Sequence, residues 1–538
     1  MAAPEDGHLL PIPSGFTPAS RRETPMTGKH LRGAGIDRAG RIASKGPTQR
    51  AWTLGHYKVP PMQPLNEDSL ERIHQASLTI LEEIGLDLLS PAMRAIAAAQ
   101  GADVRSGSER VRFPREVVEH HLKQAPARFT IHGRGPGRDL NIGGGAAVFG
   151  CVSSAPNCSG LGRERHSGSF EDFRNFVKLG HMLNAIHFFG GYPVEPLDLP
   201  ASVRHLDCLR EFVRLTDKVF HPYCLGRERI EDALDIACIA KGLTREQLRS
   251  HACMYTVVNT SSPLRIEGAM LEGMIQMARH RQPICITPFT LAGAMAPVTL
   301  AGALTQQNAE ALAGITLVQM IEPGAPVLYG AYTSNVDMKT GAPAMGTPEY
   351  FRCVLASGQL ARRYRLPYRS SGGNASTSAD AQSVYETGFA LWGAVLGQAN
   401  MVMHAAGWLE GGLCASFEKL VIDAEVLQGL GECFRPIEVN DSELALDAIR
   451  DVGPGGHFFG TGHTLARYQD AFYKPLLSDW QNHGAWQAGG SHDALARAGS
   501  IARQLIDTHR PQTLDPAISE ELDAFVARRK EEGGAHES

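Results

Sequence analysis

From about residue 146 onward the chain alternates short apolar runs with longer amphipathic stretches. The runs at 146–150, 185–190, 219–224, 252–258, 283–289, 327–332, 367–371 and 401–405 have the length and apolar content of buried strands. Helical spacing recurs between and after them, near 169–180, 201–215, 229–242, 266–280, 300–321, 347–364, 380–399 and 417–431. Ser169 with Asp172 gives the first of these helices a capping-box-like start, and Asp380 stands as an N-cap of the seventh. Eight strand–helix units in series, with strands too apolar to face water, predict an α/β fold: a (β/α)8 TIM-type barrel, residues 146–431. An open doubly wound sheet is the rival, but nothing in that architecture requires eight units.

The flanking regions read differently. In 51–145, Asn66 as N-cap and Gly85 as stop frame a helix with Leu70, Ile73, Ile80, Leu81 and Ile84 on one stripe. Helical patterns at 92–99 and 115–124 follow, with extended pieces at 110–113 and 129–132, so a small N-terminal α+β extension is expected. Residues 432–538, with glycine-rich turns at 453–456, scattered aromatics and a last helix near 520–530, read as a C-terminal helical and loop extension packed on the barrel. Residues 1–50 carry eight Lys/Arg against four acids among many Gly, Pro, Ser and Thr, the pattern of a mobile basic tail.

Composition removes several functions. The 538 residues are 43% hydrophobic and 20% charged, with a formal net charge of −5, so neither a disordered chain nor a nucleic-acid binder is expected. No apolar run approaches the ~18 residues of a membrane span. Ten dispersed cysteines form no C-x-x-C pair, and the first residues lack the basic flank and apolar core of a secretory signal. The expectation is a cytoplasmic protein with reduced thiols. Zinc spacings and phosphate-cradling glycine loops are missing at the strand ends, so no metal and no nucleotide is expected on this chain.

In such a barrel the chemistry lies where the strands end. Those ends carry Phe149, Tyr192, Tyr223, Asn259, Phe289, Tyr332, Asn335, Ser371, His404, Trp408 and Glu410. Aromatic faces with few fixed positive charges can cage an organic cation, and they can equally plug the barrel top. His404 could bond a carboxylate or a cofactor edge, or be a satisfied core histidine.

Five longer segments carry a family resemblance: 149–157 (FGCVSSAPN), 288–300 (PFTLAGAMAPVTL), 330–349 (GAYTSNVDMKTGAPAMGTPE), 371–386 (SGGNASTSADAQSVYE) and 404–423 (HAAGWLEGGLCASFEKLVID). Over about 60–530 the chain resembles the corrinoid-dependent trimethylamine methyltransferase superfamily, in particular its members without pyrrolysine. The resemblance implies a TIM-type barrel. It also implies methyl transfer from a quaternary amine, glycine betaine or a related betaine, to the Co(I) of a corrinoid (cobalamin) carried by a small separate corrinoid protein. On that reading Phe149, Tyr192, Phe289, Tyr332 and Trp408 are candidates for an ammonium cage. Asn335, Ser371 and His404 are candidates to anchor a carboxylate or the corrinoid edge, and Glu386 and Glu410 to set local charge, with His404, Glu386 and Glu410 as the catalytic candidates. A tertiary methylamine or another methyl donor, and a non-catalytic betaine-binding barrel, are the alternatives. Long apolar helices would also permit a homo-oligomer.

Overall fold

The computed structural model describes residues 47–510 and 513–536, so the basic segment read as a tail lies, up to residue 46, outside the described residues. Six parallel strands form a curled sheet: β1 (Ala146–Cys151), β2 (Thr256–Thr260), β3 (Ile284–Ala292), β4 (Val327–Gly330), β5 (Tyr368–Ser371) and β6 (Met401–Ala406). Ladders join them in the order β2-β3-β4-β5-β6-β1. A further strand, Tyr332–Val336, continues beyond β4 and pairs with the outer half of β3, Phe289 opposite Tyr332.

The expected strands at 185–190 and 219–224 differ from the expectation. They make only isolated parallel bridges, Phe188 to Gly150 and Val219 to Phe188. Two imidazoles and a proline explain the interruption. Phe149 N–H donates to His187 Nδ1 (2.9 Å), and Val257 N–H donates to His221 Nε2 (3.0 Å), so side chains occupy positions that a ladder would give to carbonyls. Pro222 has no N–H to offer; its carbonyl accepts from Thr256 Oγ1 (2.8 Å). Both histidines are buried, and burial lowers the pKa of His187 to about 3 and of His221 to about 4. A ring nitrogen that accepts a backbone N–H must be unprotonated, which fits those directions.

Helices match the sequence pattern closely. Leu300–Ile321 is buried on most sides because the N-terminal helix Glu67–Thr79 lies across it; Asn308 Nδ2 donates to Ser77 Oγ (2.9 Å). Pro348–Arg363, Ala381–Leu396 and Phe417–Cys433 cover the β4–β6 side. Two C-terminal helices, Ala494–Thr508 and Pro516–Glu531, complete the coat; the first was not expected from the sequence. The second is held by Arg529 to Asp232 and Lys530 to Asp207, both 2.6 Å.

Two cores result. One lies between the sheet and its helices. The other fills the concave side of the sheet, with Val148, Phe188, Val219, Tyr255, Val257, Cys285, Leu328, Met401 and Met403. Ile131, Leu140 and Ile142, from a hairpin just before β1, join this inner core from the N-terminal ends of the strands. The opposite, C-terminal ends are left for a cavity. Among the described residues no helix is long and apolar enough to cross a membrane.

Candidate active site

A cavity of about 350 Å³ sits at the C-terminal ends of the strands. Thr287 and Phe289 of β3, Arg369 of β5, and Met403 and His404 of β6 line it, with Tyr332 and Trp408 just beyond β4 and β6. Ser153, His221 and Tyr223 close the other side. Ser154, Leu225 and Asn259 also line it and are exposed, so it opens to solvent there.

Local backbone features place the rings. His404 has φ 50°, in the left-handed region, where the β6–β1 register shifts between Val402 and Ala406. This bulge turns the imidazole onto Trp408, with centroids 4.3 Å apart and planes 17° from parallel. The Ser371 hydroxyl holds His404 Nδ1 at 2.6 Å and reaches Met403 O at 3.1 Å. Burial, reinforced by Arg369 and His221, keeps the His404 pKa well below its ordinary value, so the ring is neutral near pH 7. Gly412 (φ +100°) lets the chain pass under Trp408; a Cβ there would lie 2.2 Å from the indole. Beneath the turn, Lys419 and Asp423 form a fully buried ion pair, and Asp423 accepts Gly407 N–H at 2.9 Å. Tyr332 stands 5.1 Å from Phe289 and 5.2 Å from Tyr350, centroid to centroid.

Of the strand-end residues singled out from the sequence, Tyr223, Asn259, Phe289, Tyr332, His404 and Trp408 line this cavity, and Ser371 stands behind His404. The others lie elsewhere. Phe149 lines a separate cavity of about 310 Å³ with His187, because its position on β1 points it away from the inner core. Tyr192 lines a neighbouring pocket of about 150 Å³, its ring 4.5 Å from that of Tyr223. Asn335 accepts Thr347 Oγ1 (3.0 Å) and anchors a helix start. Glu386 accepts Ala375 N–H (2.8 Å) and Ser376 N–H (3.1 Å), stiffening the loop after β5. Glu410 pairs with Arg165 at 2.9 Å. Asp380 is an N-cap, accepting Ser383 N–H.

Sequence reading missed Arg369, His221 and Glu195. Arg369 lay in plain view as one charge within the apolar run 367–371. Glu195, half-buried at the rim, has its pKa raised by burial, against the pull of Tyr223 and Arg204. Among the described residues one Cys/His/Asp cluster could hold a metal, Cys158, His166 and Asp172. Asp172 is already ion-paired to Arg163 and bonded to Ser169 Oγ (2.7 Å), and the cluster does not line the cavity.

Fold and cavity together define an α/β protein with an aromatic-lined cavity at the C-terminal ends of parallel strands. The trimethylamine methyltransferase (MTTB) family model matches residues 32–534, and the chain belongs to that family of methyltransferases. It is similar to the glycine betaine methyltransferase of Desulfitobacterium hafniense (strain Y51), 37% identical over 478 residues, 88% of this chain and 99% of that one. It is also similar to a trimethylamine methyltransferase of Methanosarcina mazei, 29% identical over 85% of this chain and 93% of the relative. Among solved structures, the monomethylamine methyltransferase of Methanosarcina barkeri aligns at a TM-score of 0.47 and 10% identity, covering 84% of this chain and 90% of that chain.

Proposed function

We propose that this methyltransferase takes a methyl group from a quaternary amine, glycine betaine or a related betaine, and delivers it to the Co(I) of a corrinoid carried by a small partner protein. We read the segments around Phe188 and Val219 as the two remaining strands of an eight-unit barrel, with the cavity in its mouth. The observation that carries the reading is the pairing of aromatic walls with neutral histidines. Phe289, Tyr332, Tyr223 and Trp408 line the cavity, and burial holds His221 and His404 unprotonated near pH 7.

That combination suits one chemistry. A quaternary nitrogen leaves as a neutral amine with the C–N bonding pair, so its departure needs no proton donor. A tertiary amine would leave as an amide anion unless protonated or otherwise activated. The corrinoid, when docked, supplies the Co(I) electron pair that accepts the methyl carbon. This chain's residues hold the cation against ring faces, keep its methyl at the mouth and exclude bulk water. The mouth fits a docked protein: Leu225, Val298, Met338 and Leu413 are exposed apolar side chains on loops following the strands.

One observation favours a second reading. Glu195 lines the same cavity with a raised pKa, and a protonated carboxyl there could serve a tertiary amine. The two readings separate when the protein is given reduced cobalamin with glycine betaine or trimethylamine and the amine products are followed by NMR. The proposal expects dimethylglycine from glycine betaine, undiminished in Glu195→Gln. Demethylation of trimethylamine alone, abolished by Glu195→Gln, would establish the alternative.

A further inference from the structure

Arg369 is 3% exposed, yet no carboxylate of the described residues lies within ion-pair distance, and its Nε and Nη1 have no hydrogen-bond partner. A buried, uncompensated guanidinium is costly and is ordinarily paired. The groups around it are neutral: His221 and His404 are unprotonated, and Tyr255, Tyr332 and Tyr350 all have pKa values raised by burial. Other unpartnered buried donors line the same cavity, namely Ser153 Oγ, Tyr332 OH and Trp408 Nε1. A cavity whose unmet polar groups are donors around one cation is built for an anion.

Strand register gives the depth. Arg369 is level with Gly330, which is level with Thr287 when the β3–β4 ladder is carried on one residue from Ile286–Tyr329. Phe289 and Tyr332, themselves paired, each stand two residues further along their strands. At ~3.3 Å per residue the backbone that carries the rings lies roughly 7 Å nearer the mouth than the arginine backbone. Arg369 also pairs in register with Met401 of the inner core.

We infer that Arg369 is the specificity-determining residue of the cavity: it holds the carboxylate of a zwitterionic donor at the bottom and leaves the ammonium among the rings toward the mouth. This rests on the cavity being the methyl-donor site. A guanidinium binds a carboxylate through two parallel N–H bonds, a geometry that neither a hydroxyl nor a methyl can satisfy. Choline-like and tetramethylammonium cations would leave the arginine unpaired, so the cavity discriminates against them.

The test measures binding to the full chain by calorimetry, with glycine betaine, its methyl ester and tetramethylammonium as probes. Wild-type protein is expected to bind glycine betaine at least 100-fold more tightly than the ester. Arg369→Gln is expected to weaken glycine betaine at least 100-fold and tetramethylammonium less than 3-fold, with Arg369→Lys in between. Equal affinity of betaine and ester for the wild type would overturn the inference, and this arm does not depend on the variants folding. So would a variant that weakens both cations alike. If the wild type demethylates glycine betaine yet fails these arms, the anchor is wrong and the proposed function stands. If it neither demethylates glycine betaine nor binds a quaternary amine, the function itself is wrong.

Discussion

Acidification should weaken the part of the sheet where His187 and His221 replace ladder carbonyls. Each ring accepts a backbone N–H, from Phe149 and Val257 respectively, and can do so only unprotonated. Both side chains are 4% exposed, so solvent screening is slight. Their folded pKa values, about 3 and about 4, lie below the ordinary ~6.5 of the unfolded chain. Folding therefore excludes a proton that the unfolded chain accepts. The stabilisation is full above pH 6.5 and is lost progressively as pH falls toward the folded values. At pH 5 the loss is about 2 kcal/mol for each histidine and about 4 kcal/mol for the pair. The assay is urea unfolding at pH 7.5 and pH 5 for the wild type and for His187→Gln/His221→Gln, whose amide oxygens can accept the same N–H groups without titrating. The double variant should lose about 4 kcal/mol less between the two pH values. An identical pH dependence in both proteins would refute the reasoning.

Two other outcomes follow from the same geometry. Trp408→Leu keeps bulk beside His404 but removes a ring face; at about 2 kcal/mol for a desolvated cation–π contact, glycine betaine should bind roughly 30-fold more weakly. Calorimetry checks this, and unchanged affinity removes Trp408 from the cage. Lys419→Met leaves Asp423 buried and uncompensated, so stability should fall by about 3–5 kcal/mol, with Lys419→Met/Asp423→Leu losing less. Urea midpoints decide; equal losses in both variants would show that the ion pair is not the source.

Much of the fold was legible because packing obeyed local pattern. The run 300–321 is apolar nearly all round and is a buried helix of those bounds, Leu300–Ile321. β4, β5 and β6 lie within a residue or two of the expected runs, because both their faces are covered. The segments 185–190 and 219–224 carry the same apolar signal but make only isolated bridges, through Phe188 and Val219. Pattern reports burial, whereas ladder continuity depended on His187, His221 and Pro222. The site was half legible. Phe289, Tyr332, His404 and Trp408 sit at strand ends and meet, while Phe149, one residue off the inward phase, faces the other way. Asn335, Glu386 and Glu410 looked chemical because they are polar and near strand ends, but their partners are backbone N–H groups, Thr347 and Arg165. Arg369 escaped because its meaning lies in the missing acid, and an absent partner leaves no trace in a one-dimensional pattern.

On the proposed function, the mouth of the curled sheet holds a quaternary ammonium against ring faces. A crystal structure of the protein soaked with glycine betaine tests it most directly. The trimethylammonium is expected within about 6 Å of the Phe289, Tyr332 and Trp408 centroids, with a methyl carbon facing the opening at Ser154, Leu225 and Asn259. Glycine betaine bound outside this cavity, or with its methyl groups facing the inner core, would contradict it.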